Sequence, residues 1–184
     1  LKRNIVQLVQ LPYRVTASWR QLPDFLLIGA QKSGTTSLFN YLSQHPGVAR
    51  NPRNRKEMYF FNRDYARGMH FYRQYFPLKS VGGLVGEGST VYLSSQGVPR
   101  RVAQMLPEVK ILAVLREPAA RAISHYFHHV QRGRETRSIE EAFSSEILEM
   151  YTRGELLDGL SYRYLSNGDY AKHLKRWLLC IDER

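Results

Sequence analysis

A four-residue apolar run, Phe25-Leu26-Leu27-Ile28, ends at Gly29, and Gly34-Thr35-Thr36 follows within a few residues. A run this short and uninterrupted suits a strand covered on both faces. The glycine-bounded turn then leads into Thr35–Gln44, where Leu38, Tyr41 and Leu42 recur at helical spacing until His45-Pro46-Gly47 stops the helix. Val109–Leu115 (VKILAVL) repeats the buried-strand signature, and Ala119–Gln131 reads as the helix after it. Apolar strands alternating with helices predict an α/β fold, a three-layer sandwich around a central, largely parallel sheet.

Weaker signals fill in the rest. Phe71–Phe76, closed by Pro77, predicts a short helix, and Leu84-Val85 a short strand. Pro99–Leu106 predicts a helix with proline in its first turn. Ser138 with Glu141 forms a capping box that opens a helix to about Thr152. Tyr170–Ile181 places Leu174, Trp177, Leu178 and Ile181 on one helical face. Residues 1–22 read as a surface segment with no signal-peptide pattern, ahead of one domain at 23–184. The chain begins at Leu1 and stops after a helix where such a fold would supply another strand, so the C-terminal part of the domain is expected to be missing.

Charge narrows the function. The 184 residues carry 27 Lys+Arg against 16 Asp+Glu, a net charge of +11, which attracts nucleic acid, phosphorylated small molecules, anionic membranes or acidic glycans alike. The single cysteine, Cys180, excludes an internal disulfide and a cysteine-cluster metal site. No apolar run approaches the roughly 20 residues of a membrane span.

Three stretches carry chemistry. Gly29-Ala30-Gln31-Lys32-Ser33-Gly34-Thr35-Thr36 joins a strand to a helix, where backbone amides and the helix dipole favour an anion. Its spacing nearly copies the P-loop GxxxxGK[ST], but Thr35 stands where the lysine belongs and Lys32 sits earlier, near the apex. After the second strand, Arg116 and Ser124 lie eight residues apart in REPAARAISHY, so both reach the rim where open α/β sheets bind ligands. An arginine fork with a hydroxyl suits a terminal phosphate. Between these motifs, Glu57 directly follows the basic segment Arg50–Lys56, whose Arg53, Arg55 and Lys56 suit either an acidic acceptor or a solvated face, and it stands just before Phe60-Phe61 turns the chain into the core. A positioned carboxylate there can take a proton from a nucleophile.

The stretch PDFLLIGAQKSGTTSLFNYLSQHP resembles the 5′-phosphosulfate loop of sulfotransferases that use 3′-phosphoadenosine 5′-phosphosulfate (PAPS), above all heparan-sulfate-type and related bacterial members, and the R-x-P-x-x-R-x-x-S-x-Y pattern matches as well. The resemblance implies that Lys32 contacts the oxygen bridging phosphate and sulfate, with Ser33, Gly34, Thr35 and Thr36 supplying further donors. It implies that Arg116 and Ser124 hold the 3′-phosphate of PAPS and that Glu57 is the general base. Sulfuryl transfer to a hydroxyl or amine of a carbohydrate or small molecule is the expected reaction, with no metal and no nucleic-acid partner. Arg121 and Tyr126 also match and are read as structural; His125, His128, His129 and His173 are read as surface or supporting residues.

There are departures from the pattern. Gly88 stands where many heparan-type enzymes carry lysine, which removes a cation from the sulfate and acceptor side, and the family's basic C-terminal loop over the 3′-phosphate is not found. A bacterial-type cytoplasmic enzyme is expected, with the Golgi lumen as the alternative compartment. Two other readings stand beside this one. A P-loop kinase or NTPase would need a magnesium-holding carboxylate at the end of a buried strand, where VKILAVL instead meets Arg116. A non-enzymatic polyanion-binding module would use the charge alone.

Overall fold

The computed structural model describes residues 12–52, 55–155 and 159–181. Strand β1 (Phe25–Gly29) is the centre of a parallel sheet, flanked by β2 (Gly86–Glu87) and β3 (Lys110–Ala113) in the order β2-β1-β3. All five residues of β1 are buried. Leu26 and Ile28 join the main core, and Leu27 between them is equally enclosed, so both faces are covered. β3 is shorter than predicted and only half covered, because it is the edge of this sheet and has β1 on one side only.

The second strand also departs from expectation. Leu84 makes an isolated bridge to Val48, and the ladder itself runs through the next pair, Phe25 to Gly86 and Leu26 to Glu87. Gly86 is required there: a Cβ would lie 2.1 Å from the Phe25 ring.

The helices are α1 (Thr35–Gln44), α2 (Gly68–Arg73), α3 (Val98–Met105), α4 (Pro118–Val130), α5 (Ile139–Ala142), α6 (Ser145–Arg153), α7 (Gly159–Ser166) and α8 (Tyr170–Ile181). α1 and α8 match their predicted ends, although Tyr41, placed in the apolar stripe of α1, is 69% exposed. The helix predicted at Phe71–Phe76 lies three residues earlier. The single helix predicted from Ser138 to Thr152 is two: the capping box is formed, but the chain leaves the helix at Phe143, and Ser144 caps α6 through the Ile147 amide.

Beside β1 the core is aromatic. Phe60 stacks on Tyr72 with centroids 4.3 Å apart, and Phe61 meets Tyr72 and Tyr92 edge-on. Burying each phenylalanine contributes about 1.5–3 kcal/mol. A smaller cluster joins Ala122 and Tyr126 of α4 to Ala142 and Tyr164. The buried Arg121 donates to the Tyr164 carbonyl and Tyr126 Oη to the Arg137 carbonyl, consistent with structural roles for both. The segment before Pro23, predicted to be superficial, is partly anchored among residues 12–22: Trp19 is exposed, but Ala17 is enclosed and Arg20 Nη1 donates to the Phe76 carbonyl at 2.7 Å.

Candidate functional site

Parallel pairing brings the separated motifs together. Gly29 opposes Ala113, and the ladder continues to the rim, with the Ala30 amide on the Val114 carbonyl at 2.7 Å and the Val114 amide on the Gly29 carbonyl at 2.8 Å. The loop leaving β1 and the Arg116 segment leaving β3 therefore emerge side by side. The Arg116 guanidinium reaches the Lys32 carbonyl oxygen at 3.5 Å, a long contact between residues 84 positions apart.

The loop is shaped by backbone conformation. A Cβ on Gly29 would lie 2.8 Å from the Leu93 Cβ, so only glycine lets the turn pass this close. Gly34 caps α1 at φ 88 with no side-chain cap, leaving the first-turn amides of that helix without an internal acceptor. Lys32 adopts φ 69 and Tyr59 φ 57; among the described residues these are the non-glycine positions in the left-handed region, and both line one cleft. Such conformations cost on the order of 1–3 kcal/mol and persist where the surroundings enforce them.

That cleft has a volume of about 500 Å³. Lys32, Gly34, Thr35, Thr36, Glu57 and Ser124 all line it. Ser33 lies beneath it, its Oγ buried with no hydrogen-bond partner among the described residues. Arg116 stands at the rim on the Lys32 carbonyl. Every residue expected at the site is thus at or beside one cleft.

Glu57 is held by contacts from far along the chain. Its Oε1 accepts from Thr90 Oγ1 at 2.9 Å and its Oε2 from Tyr59 Oη. Below it lies Glu87, fully buried, accepting from Tyr72 Oη, from Ser89 Oγ at 2.6 Å and from Tyr92 Oη at 2.6 Å. Burial pushes the Glu87 carboxyl above its ordinary pKa, against the three hydroxyls and a backbone donor that favour its ionised form. Ser89 Oγ in turn accepts from the Met58 and Tyr59 amides, both at 3.1 Å. The Glu87-Gly88-Ser89-Thr90 stretch, noted in the sequence only as a departure at Gly88, therefore positions the Glu57 segment.

Several cleft residues were not assigned from sequence. Lys56 donates through Nζ to the hydroxyls of Thr35 and Thr36, both at 3.2 Å, although it was read only as a contact for an acidic acceptor or as solvated surface. Arg53, grouped with it, lies outside the described residues. His128 and Arg132 line the cleft below Ser124; the i, i+4, i+8 spacing of the three is the signal that places them on one face of α4 and its extension. Burial, then the neighbouring Lys32 and Arg132, lowers the His128 pKa and favours a neutral ring. The other histidines of α4 are not superficial. His125 and His129 are buried with Nε2 atoms 3.2 Å apart, and burial, reinforced by Arg121, pushes His125 down to about 3. His173 is buried too, its Nε2 on the Ser166 carbonyl at 2.7 Å.

Comparisons with known proteins identify the family and the fold. The family model described as "Sulfotransferase domain" matches residues 22–184. Bifunctional heparan sulfate N-deacetylase/N-sulfotransferase 3 of Homo sapiens is 37% identical over 166 residues, covering 86% of this chain and 19% of its own length. The corresponding bifunctional enzyme of Drosophila melanogaster is 34% identical over 180 residues, covering 89% and 17%. The chain thus spans about a fifth of the length of these relatives. A crystal structure of a sulfotransferase from Alicyclobacillus acidocaldarius superposes with a TM-score of 0.67 at 34% identity, over 88% of this chain and 70% of the other. With its loop, rim arginine and carboxylate gathered at one cleft, the chain belongs to the sulfotransferase domain family.

Proposed function

We propose that this chain binds PAPS across the rim of β1 and β3 and transfers its sulfuryl group to a hydroxyl or amine of a carbohydrate or small-molecule acceptor. The observation that carries this reading is the meeting of Arg116 with the Lys32 loop, which offers two anion-binding elements to one ligand. The fit is chemical as well as spatial. Among the described residues the buried Ser33 Oγ has no hydrogen-bond partner, the first-turn amides of α1 have no side-chain cap, and a Cβ built on Gly34 would meet nothing within 4 Å beyond its own stretch of chain. A 5′-phosphosulfate would use these donors, and a 3′-phosphate would use Arg116 and Ser124.

PAPS supplies an electrophilic sulfur whose bond to the 5′-phosphate oxygen breaks as the acceptor's oxygen or nitrogen bonds to sulfur. The residues supply placement and charge. Glu57 takes the acceptor's proton, with Thr90 and Tyr59 holding the carboxylate in place. Lys32 and the loop donors stabilise the charge that collects on the departing phosphate oxygen. The names of the relatives support a glycan amino group among the acceptors.

The kinase reading lacks a free acid at a strand end: Glu87, which closes β2, is fully buried and accepts from Tyr72, Ser89 and Tyr92. Glu117, the carboxylate next to Arg116, has its oxygens on the Ala119 and Ala120 amides, where it caps α4. Calorimetric titration separates the two readings: adenosine 3′,5′-bisphosphate binds more tightly than ATP with Mg²⁺. The reverse order would overturn the proposal.

A further inference from the structure

Lys56 sits where the site and its surroundings meet. Among the described residues it alone lines both the catalytic cleft and a neighbouring groove of about 320 Å³ bordered by Asn40, Gln44, Arg50, Asn51 and Arg55. Its hydrogen bonds go to two neutral hydroxyls, those of Thr35 and Thr36, in the first turn of α1. An ammonium has three donors, so this arrangement leaves one for a ligand. Glu57, the next residue, spends its oxygens on Thr90 and Tyr59 and so does not close an ion pair over it. Burial lowers the pKa of Lys56, and the charge of Glu57 opposes that shift.

The position of the side chain depends on Gly88. A Cβ there would stand 2.9 Å from Lys56 Cε and 3.1 Å from its Cγ, and 3.0 Å from the Phe39 ring. The Gly88 amide also donates to the Lys56 carbonyl at 3.0 Å, fixing the backbone of the two segments together. The absence of a side chain at 88 is thus the notch through which the lysine stem passes.

We propose that Lys56 is a second cation of the transfer site, a catalytic residue whose ammonium holds the non-bridging oxygens of the sulfuryl group, and that Gly88 exists to admit it. The inference rests on the sulfuryl-transfer reading above. It follows from placement. A group passing from the loop to an acceptor next to Glu57 must cross the space between them, and Lys56 reaches the loop hydroxyls from the Glu57 side. Lys32 serves the departing phosphate, and Lys56 serves the group in transit.

The test compares two ligands that differ by that group. PAPS and adenosine 3′,5′-bisphosphate are titrated calorimetrically against the parent protein, Lys56→Met, Lys56→Ala, and Lys56→Ala combined with Gly88→Lys, the alanine clearing the stem that a side chain at 88 would meet. Lys56→Met keeps the apolar stem and is expected to weaken PAPS at least tenfold while changing bisphosphate affinity less than threefold. The double variant, with its ammonium supplied from position 88, is expected to recover at least a third of the PAPS affinity lost in Lys56→Ala. Equal weakening of both ligands, or of neither, would overturn the role of Lys56. A parent protein that binds neither ligand would overturn the underlying PAPS reading instead.

Discussion

The Gly29–Thr36 loop takes its shape from eight consecutive residues, whereas Glu57 on the facing wall stands where Ser89 and Thr90, more than thirty positions downstream, hold it. One wall is written in backbone: a glycine that lets the chain pass Leu93, a lysine and a glycine at positive φ, and a helix beginning at the turn. The other is written in side-chain hydrogen bonds, stacked from Tyr72 and Tyr92 through Glu87 and Ser89 to the backbone amides of Met58 and Tyr59. The difference suits the two tasks. A loop that cradles a phosphate needs many fixed dipoles, and adjacent residues provide them. A base needs one carboxylate aimed at one proton, and distant partners fix that aim.

The sharpest way to break this contrast is to remove the working group from each wall. Lys32→Ala is expected to abolish sulfuryl transfer while the protein still folds with a thermal midpoint close to the parent, since the side chain is only partly buried and its backbone is held by the turn. Glu57→Gln is expected to lower transfer by about 10²–10⁴-fold and to leave bisphosphate affinity nearly unchanged, because the amide keeps the shape but accepts no proton. Rate measurements with labelled PAPS, paired with calorimetry, check both. Retained turnover in the Glu57→Gln protein would remove the base assignment and leave the loop assignment standing.

A smaller effect tests the support beneath Glu57. Glu87→Gln turns an acceptor for three hydroxyls into a group that also donates, leaving at least one buried hydroxyl badly matched. The expected cost is about 1–3 kcal/mol of stability, read by denaturant unfolding, together with slower transfer and undiminished bisphosphate binding. Loss of bisphosphate binding at the same time would show that the two walls are not held independently.

What could be read in the sequence follows the same division. The loop, α1, the rim arginine and Ser124 are local patterns, and each is found where its residues place it. The turn into the core after Glu57 was also legible, because Phe60-Phe61 announces it, and both rings are fully buried. β2 was misplaced because its residues, a glycine and a buried carboxylate, carry no apolar signal; their reasons are the Phe25 ring and two tyrosines. Lys56 was passed over because its meaning depends on the space at Gly88, a contact across 32 positions that no spacing rule displays. The sequence reads His125 and His129 as surface or supporting residues without deciding between the two, because α7, which buries His125 against Tyr164, lies far downstream. The break at Phe143 was written in the second serine cap at Ser144, which the stronger box at Ser138 overshadowed.

The central claim is that two separated stretches grip the two ends of one nucleotide. It is tested most directly by titrating adenosine 3′,5′-bisphosphate and adenosine 5′-monophosphate against the parent and Arg116→Ala. The account predicts that the parent prefers the bisphosphate and that Arg116→Ala weakens the bisphosphate by about 10–100-fold, the worth of a charge-assisted contact, while the monophosphate is hardly affected. A preference that survives the substitution intact would place the 3′-phosphate elsewhere and contradict the account.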